Sequence, residues 1–205
     1  MVRMKVKVTT TEDMLGTAPA NPEIYQEYIA SKAPDAATTA DEVAAIGEEA
    51  VFDSKMTVFG RNEEGQPIVW DYQWKGLFKD ACGMLRRVPK TESSKMKAYK
   101  KIIDGLIFVE ERKIPIHTDK PIGICERPLR AQTAQGERIA LAASESISAG
   151  ATMEFTIKCL TDGDAKAVKE WLDYGVLRGF GQWRNSGMGR YTWELLEETK
   201  DEYVA

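Results

Sequence analysis

The first apolar pattern in the chain has a period of two. Val2, Met4, Val6 and Val8 alternate with Arg3, Lys5 and Lys7, which predicts a half-buried strand over 2–9. Leu15-Gly16-Thr17-Ala18-Pro19 breaks the alternation. Asn21-Pro22-Glu23 has the composition of a helix start, and Thr39 with Glu42 gives a second capping signature. Strand, turn and strand are expected over 56–59, 62–65 and 68–72. At Trp74 the period lengthens to that of a helix. Leu77, Phe78, Ala81, Met84 and Leu85 continue one apolar side, Lys75, Lys79, Arg86 and Arg87 flank it, and Pro89 ends it. Shorter strands are expected at 106–109, 114–116 and 139–142. The clearest alternation is Met153, Phe155, Ile157 and Cys159. A helix over 165–176 with Val168, Trp171 and Leu172 on one side follows, and a last strand over 190–196 carries Tyr191, Trp193 and Leu195.

Strand, helix, strands, then strand, helix, loop and strand is an α+β order. It fits a ferredoxin-like or split βαβ core with a mid-chain insertion. With 205 residues, 43% of them hydrophobic, the chain is expected to form a single domain over 1–205 with an acidic helical insertion near 20–53.

Between the last helix and the last strand lies Gly179-Phe180-Gly181-Gln182-Trp183-Arg184-Asn185-Ser186-Gly187-Met188-Gly189-Arg190. It reads as Gly-h-Gly, five residues, then Gly-h-Gly, where h is apolar. Glycines at this spacing suit positive φ angles or close backbone approach. Successive N–H groups in such a turn form an anion-binding concavity. Arg184 and Arg190 add charge, Gln182, Asn185 and Ser186 add hydrogen bonding, and Trp183 offers a face for base stacking. A nucleotide-binding glycine loop follows a strand and opens a helix. This one follows a helix and opens a strand, which excludes that class. A wide turn that only packs its glycines closely is the other reading.

The stretch 176–191 resembles the C-terminal glycine-rich signature of the RAMP superfamily, the RNA-binding proteins of CRISPR effector complexes. Both Gly-h-Gly arms, the base between them and the Arg190-Tyr191 pair match. A second stretch, Ile68 to Asp80, is similar to the family's strand followed by a Lys-Gly helix opening, here Lys75-Gly76, with Arg86-Arg87 further on. There Asp71-Tyr72-Gln73-Trp74 stands in place of the usual turn. The resemblance implies an RNA-recognition-like core that holds single-stranded RNA, or DNA, by its backbone. Gly179, Gly181, Gln182, Trp183, Arg184, Asn185, Ser186, Gly187, Gly189 and Arg190 would line the site, with Lys75, Lys79, Arg86 and Arg87 in support. It also implies assembly as repeating subunits or with other CRISPR-type subunits. A phage-encoded mimic of such a subunit, acting by protein contact, is an alternative.

A metal-independent endoribonuclease is the enzymatic alternative. The chain has one histidine, His117, between Lys113 and Lys120 in sequence. Acid–base cleavage would use such a group beside a charge-stabilising lysine. Asp35 is the second weak catalytic candidate, in a Pro-Asp context that equally suits a turn. Cys82, Cys125 and Cys159 form no C-x-x-C pair, so neither a metal nor a cofactor is expected. No apolar run reaches the ~18 residues of a membrane span, and the N-terminus lacks a signal-peptide core, so a cytoplasmic protein is expected.

The formal net charge of −4 argues against phosphate binding until its distribution is considered. From Glu12 to Asp53 there are ten acids and one base, and from Lys75 to Lys101 nine bases and two acids. The basic surface suits phosphates, or the two surfaces suit head-to-tail contact between copies.

Overall fold

The computed structural model describes residues 1–19, 56–133 and 136–200, with the side chains of 129–141 left out. The expected insertion near 20–53, and Asp35 within it, lie outside the described residues.

The chain starts as β1 (Val2–Thr10), and the alternation seen in sequence is the alternation of burial. Val2, Met4, Val6 and Val8 are all buried, while Arg3 and Lys5 are exposed on the other face. β1 lies at the centre of an antiparallel sheet with β7 (Ile107–Val109), β11 (Thr152–Cys159) and β12 (Tyr191–Lys200), in the spatial order β12-β1-β11-β7. Helices α1 (Asp71–Leu85) and α4 (Asp162–Arg178) cover its apolar face. The chain order is therefore β1, α1, β7, β11, α4, β12, with the strands laid out fourth, first, third, second. That is the ferredoxin-like βαββαβ arrangement, and the α+β reading of the sequence holds.

The core is aromatic at its centre. Trp74 of α1 is fully buried, with its ring centroid 4.5 Å from that of Phe155 on β11, 4.5 Å from Phe180 and 5.8 Å from Tyr191. One side chain thus joins a helix, the sheet and the segment after α4. Phe78 packs on Trp171 of α4, whose indole N–H donates to Ser93 Oγ at 2.8 Å.

α1 begins earlier than its apolar periodicity suggests. The expected strand over 68–72 stops at Trp70, in β6 (Pro67–Trp70), and Asp71 and Tyr72 already belong to the helix. Gln73 explains the early start. Its Oε1 accepts the Trp70 N–H at 2.8 Å, and its Nε2 donates to Thr17 Oγ1 at 2.6 Å. Asp71 also places a carboxylate in the first turn, where the helix dipole favours it. At the other end α1 stops at Leu85, before the expected Val88. The basic stretch that follows folds into two short helices, α2 (Glu92–Lys95) and α3 (Tyr99–Leu106).

Two smaller sheets complete the described residues. β5 (Gly60–Arg61) and β8 (Lys113–Pro115) flank β6. In the other sheet, β10 (Gly136–Ile147) pairs with β9 (Gly123–Thr133), β2 (Met14–Leu15) and β4 (Met56–Val58), and β4 also pairs with β3 (Ala18–Pro19). The long β9–β10 hairpin has no counterpart in the sequence reading beyond 139–142. β9 lacks apolar alternation and carries Pro128; among the described residues it pairs only with β10, and an edge strand tolerates a proline on its unpaired side.

Candidate nucleic-acid interface

α4 has Thr161 at its N-cap, where Oγ1 accepts the Asp164 N–H at 3.1 Å. The helix ends as Gly179 turns to φ 82° and donates its N–H to Gly175 O at 2.7 Å. The glycine-rich segment that follows is closed at its root. Phe180 N–H donates to Gly189 O at 2.9 Å, Gly189 N–H to Asp13 O at 2.8 Å, and Thr11 N–H to Arg190 O at 2.8 Å. The two Gly-h-Gly arms thus lie against each other and against the chain just after β1.

Gly179, Gly181, Gly187 and Gly189 all take positive φ, from 70° to 87°. Three are also too crowded for a side chain. A Cβ on Gly189 would sit 1.8 Å from Phe180 O, one on Gly179 2.3 Å from Met188 O, and one on Gly181 2.9 Å from Leu15 O. Phe180, the apolar residue of the first arm, fixes the loop to the core through its stack on Trp74. Tyr191 fixes the strand beyond it, with its hydroxyl donating to Leu172 O at 3.1 Å. Burial pushes the Tyr191 hydroxyl pKa far up, so it stays a neutral donor.

Between the arms the backbone changes hand. Trp183 is left-handed at φ 55°, Arg184–Ser186 form a 3-10 turn, and Gly187 is left-handed again. Ser186 N–H reaches Trp183 O and Gly187 N–H reaches Arg184 O, both at 3.0 Å. The N–H groups of Gly181, Gln182, Trp183, Arg184 and Asn185 donate to no acceptor among the described residues. A left-handed residue followed by right-handed ones turns successive N–H groups to one side, which makes an anion-binding concavity. The indole of Trp183 beside it is 39% exposed, enough to offer a stacking surface.

The arginines of the loop are held. Arg184 Nη1 lies 2.9 Å and Arg178 Nε 3.3 Å from the same oxygen of Asp80 on α1. Arg178 also hydrogen-bonds Asn185 Oδ1. Arg190 Nε donates to Leu177 O at 3.1 Å and packs over Gly187. Sequence reasoning missed two members of this cluster. Asp80 was only one of two acids in a basic stretch. Arg127, on β9, reaches the loop across the hairpin, with Nη2 2.9 Å from Gln182 Oε1 and its guanidinium carbon 5.2 Å from the centre of the Trp183 ring. No local sequence signal joins residues 127 and 183. The long edge strand does.

The other sequence candidates lie elsewhere. Lys79 pairs with Asp104 at 2.6 Å. Lys75 Nζ lies 4.9 Å from the centre of the Phe108 ring and 3.4 Å from Asp104 O, and burial lowers its pKa. Arg86 lies over Tyr99, and Arg87 is exposed at the end of α1. These four contact α3 and β7 or solvent, and α1 offers the loop Asp80 instead. His117 is exposed, its Nδ1 3.1 Å from Gln66 Nε2. Lys113 lies against Trp70 and Lys120 donates to Ala149 O, so neither lysine is engaged with the imidazole. The polar face of the main sheet has its charges matched: Arg3 and Lys158 both meet Glu110, Lys5 meets Glu154 and Lys7 meets Glu194. Among the described residues no group of three His, Cys, Asp or Glu side chains is arranged to hold a metal, and no helix is long and apolar enough to cross a membrane.

No family model matches this chain, and no curated protein matches it by sequence. Solved structures do. A chain from the cryo-EM structure of the Type III-B Cmr-beta bound to cognate target RNA superposes with a TM-score of 0.52 at 12% identity, over 97% of this chain and 60% of that one. A chain of a Type IV-B CRISPR complex is similar with a TM-score of 0.47 at 12% identity, over 94% of this chain and 90% of that one. This chain thus spans about 60% of the length of the Cmr-beta subunit. The βαββαβ core and the likeness to that Cmr-beta chain agree: the protein has a ferredoxin-like α+β fold.

Proposed function

We propose that this protein binds single-stranded RNA through the glycine-rich loop, as a subunit of a CRISPR-type assembly. The observation that carries the reading is the run of N–H groups over 181–185 with no acceptor among the described residues, opening beside an exposed tryptophan and fixed arginines. Buried or structured backbone donors normally find partners. A phosphate oxygen satisfies several at once, and the adjacent indole suits a base. The likeness to a subunit of an RNA-bound complex favours RNA as the strand.

Fluorescence anisotropy of the full chain with labelled single-stranded RNA, single-stranded DNA and duplex RNA tests this. Single-stranded RNA should bind most tightly, and binding should weaken steeply with salt. Replacing Arg184 and Arg190 together by Ala should cost roughly tenfold or more in affinity, as expected for charge-assisted contacts. No binding of any single strand at low salt would end the proposal.

A second reading has its own observation. Arg87, Lys90, Lys97, Lys100 and Lys101 are exposed around the end of α1 and the start of α3, and none forms an ion pair among the described residues. The acid-rich stretch 12–53 supplies the opposite charge. Contact between the two in neighbouring copies would be heterologous and would build strings or rings. Light scattering at low and high salt distinguishes such an assembly from a monomer.

A further inference from the structure

Arg127 is 6% exposed. Its Nη1 donates to Ser144 Oγ at 3.1 Å and its Nη2 to Gln182 Oε1 at 2.9 Å, while its buried Nε has no partner among the described residues. Ser144 is itself buried and shares a 2.7 Å hydrogen bond with Thr57 Oγ1. No carboxylate among the described residues lies within ion-pair distance of the guanidinium. Glu145, an acid of neighbouring β10, is occupied by Arg61 at 2.6 Å and by the Phe59 N–H at 2.7 Å. A guanidinium stays charged at any accessible pH, and burying a charge without a counter-charge is costly. The site nonetheless places that charge against the ring of Trp183.

We infer that Arg127 is a positioning residue for nucleic acid, and that the counter-charge it lacks among the described residues is a backbone phosphate of the bound strand. The inference rests on the reading of the loop as an RNA site. Two effects follow from one placement. The cation covers one face of the Trp183 indole and holds the ring as a platform for a base on its open side. Its uncompensated field also favours an anion at the neighbouring N–H concavity of Trp183, Arg184 and Asn185, where low dielectric strengthens the attraction. The hairpin β9–β10 thereby becomes part of the binding site through a side chain that need not touch RNA.

The test compares wild type, Arg127→Met and Arg127→Lys, using the full chain and a fluorescein-labelled oligouridine. Arg127→Met should lower affinity roughly tenfold at low salt and flatten the slope of log K against log salt by about 0.7, the loss of one phosphate's worth of charge on a single strand. Its melting temperature should hold or rise, because an apolar side chain replaces an unpaired buried charge. Arg127→Lys should restore the slope but not the full quenching of tryptophan fluorescence on binding, since ammonium lacks the planar stack. A merely structural arginine would lower the melting temperature and leave the slope alone, and that result overturns the inference. Unchanged affinity and slope in Arg127→Met overturns it too, while leaving the RNA reading intact. Failure of the wild type to bind overturns the RNA reading itself. Should Arg127→Met not fold, Gln182→Ala carries the test. It removes one of the two hydrogen bonds on the guanidinium but keeps the charge, so quenching should fall while the slope stays. Quenching unchanged in that variant would also count against the inference.

Discussion

Two basic regions of this molecule are built in opposite ways. Around the glycine-rich loop, four arginines are fixed: Arg178 and Arg184 on Asp80, Arg190 on a carbonyl of α4, and Arg127 beneath Trp183. At the corner where α1 gives way to α2 and α3, the basic groups are mostly lysines, and Arg87, Lys90, Lys97, Lys100 and Lys101 extend into solvent without ion pairs among the described residues. Fixed guanidinium groups have already lost their conformational freedom, so binding costs less and geometry counts. Exposed lysines attract any polyanion at a distance and are screened by salt. Under the proposed RNA reading, the loop serves recognition, and the corner serves long-range attraction or a protein partner.

The strongest way to break the comparison is to disrupt the loop while leaving its charges alone. Gly189→Ala does so. Position 189 has φ 70°, and its new Cβ would fall 1.8 Å from Phe180 O. The hydrogen bond from Phe180 to residue 189 and the Phe180 stack on Trp74 cannot both survive. Urea denaturation should show a loss of ~3 kcal/mol or more, combining backbone strain with lost packing. Single-strand binding should disappear with every arginine still present. A variant of wild-type stability would mean the arms are not closed as described. A destabilised variant that still binds RNA would move recognition away from the loop.

The converse substitution acts on the corner. Replacing Lys97, Lys100 and Lys101 by Gln should leave the melting temperature unchanged, since all three are exposed. Stopped-flow association with RNA at low salt should slow several-fold, with little change in the dissociation rate, as is usual for steering charges. At high salt the difference should vanish. A faster dissociation or a lost stoichiometry would instead make the corner part of the site itself.

How far all this was legible in sequence depends on the range of the interactions involved. β1, α4 and β11 follow from apolar periodicity, because each buries one face against the same core, whereas β12 does so only at Tyr191 and Trp193 and leaves Leu195 exposed. The need for glycine at 179, 181, 187 and 189 was legible from spacing alone. The start of α1 was not, because a single glutamine side chain decides it. Nor was the pairing of Arg178 and Arg184 with Asp80, across about a hundred positions, or the approach of Arg127 from an edge strand whose apolar pattern is broken by Pro128. Sequence marked Arg184 as a hand extended to phosphate. The structure gives it a carboxylate first, and makes Arg127 the buried guanidinium without one among the described residues.

The polar face of the main sheet supplies the finest test of whether uncompensated charge alone makes a site. There Glu110 meets both Arg3, at 2.8 Å, and Lys158, at 2.6 Å. The hydrogen bond from Arg3 is the main reason its carboxyl pKa is lowered to about 2, and Lys158 adds to it against the cost of burial. A carboxylate whose pKa is depressed on folding contributes stability above the unfolded value near 4.5 and loses it as pH falls towards 2. At a solvent-facing position that contribution is about 1 kcal/mol. Glu110→Gln should therefore lower stability slightly at pH 7 and remove part of the decline between pH 4.5 and 2, followed by urea denaturation across that range. The same substitution releases Arg3 and Lys158 to solvent as a third basic patch with neither N–H concavity nor exposed tryptophan. If positive charge were sufficient, RNA affinity would rise and the variant would keep its preference for single strands. If the loop is what recognises RNA, any added affinity should be small, lost with modest salt, and equal for single-stranded and duplex RNA.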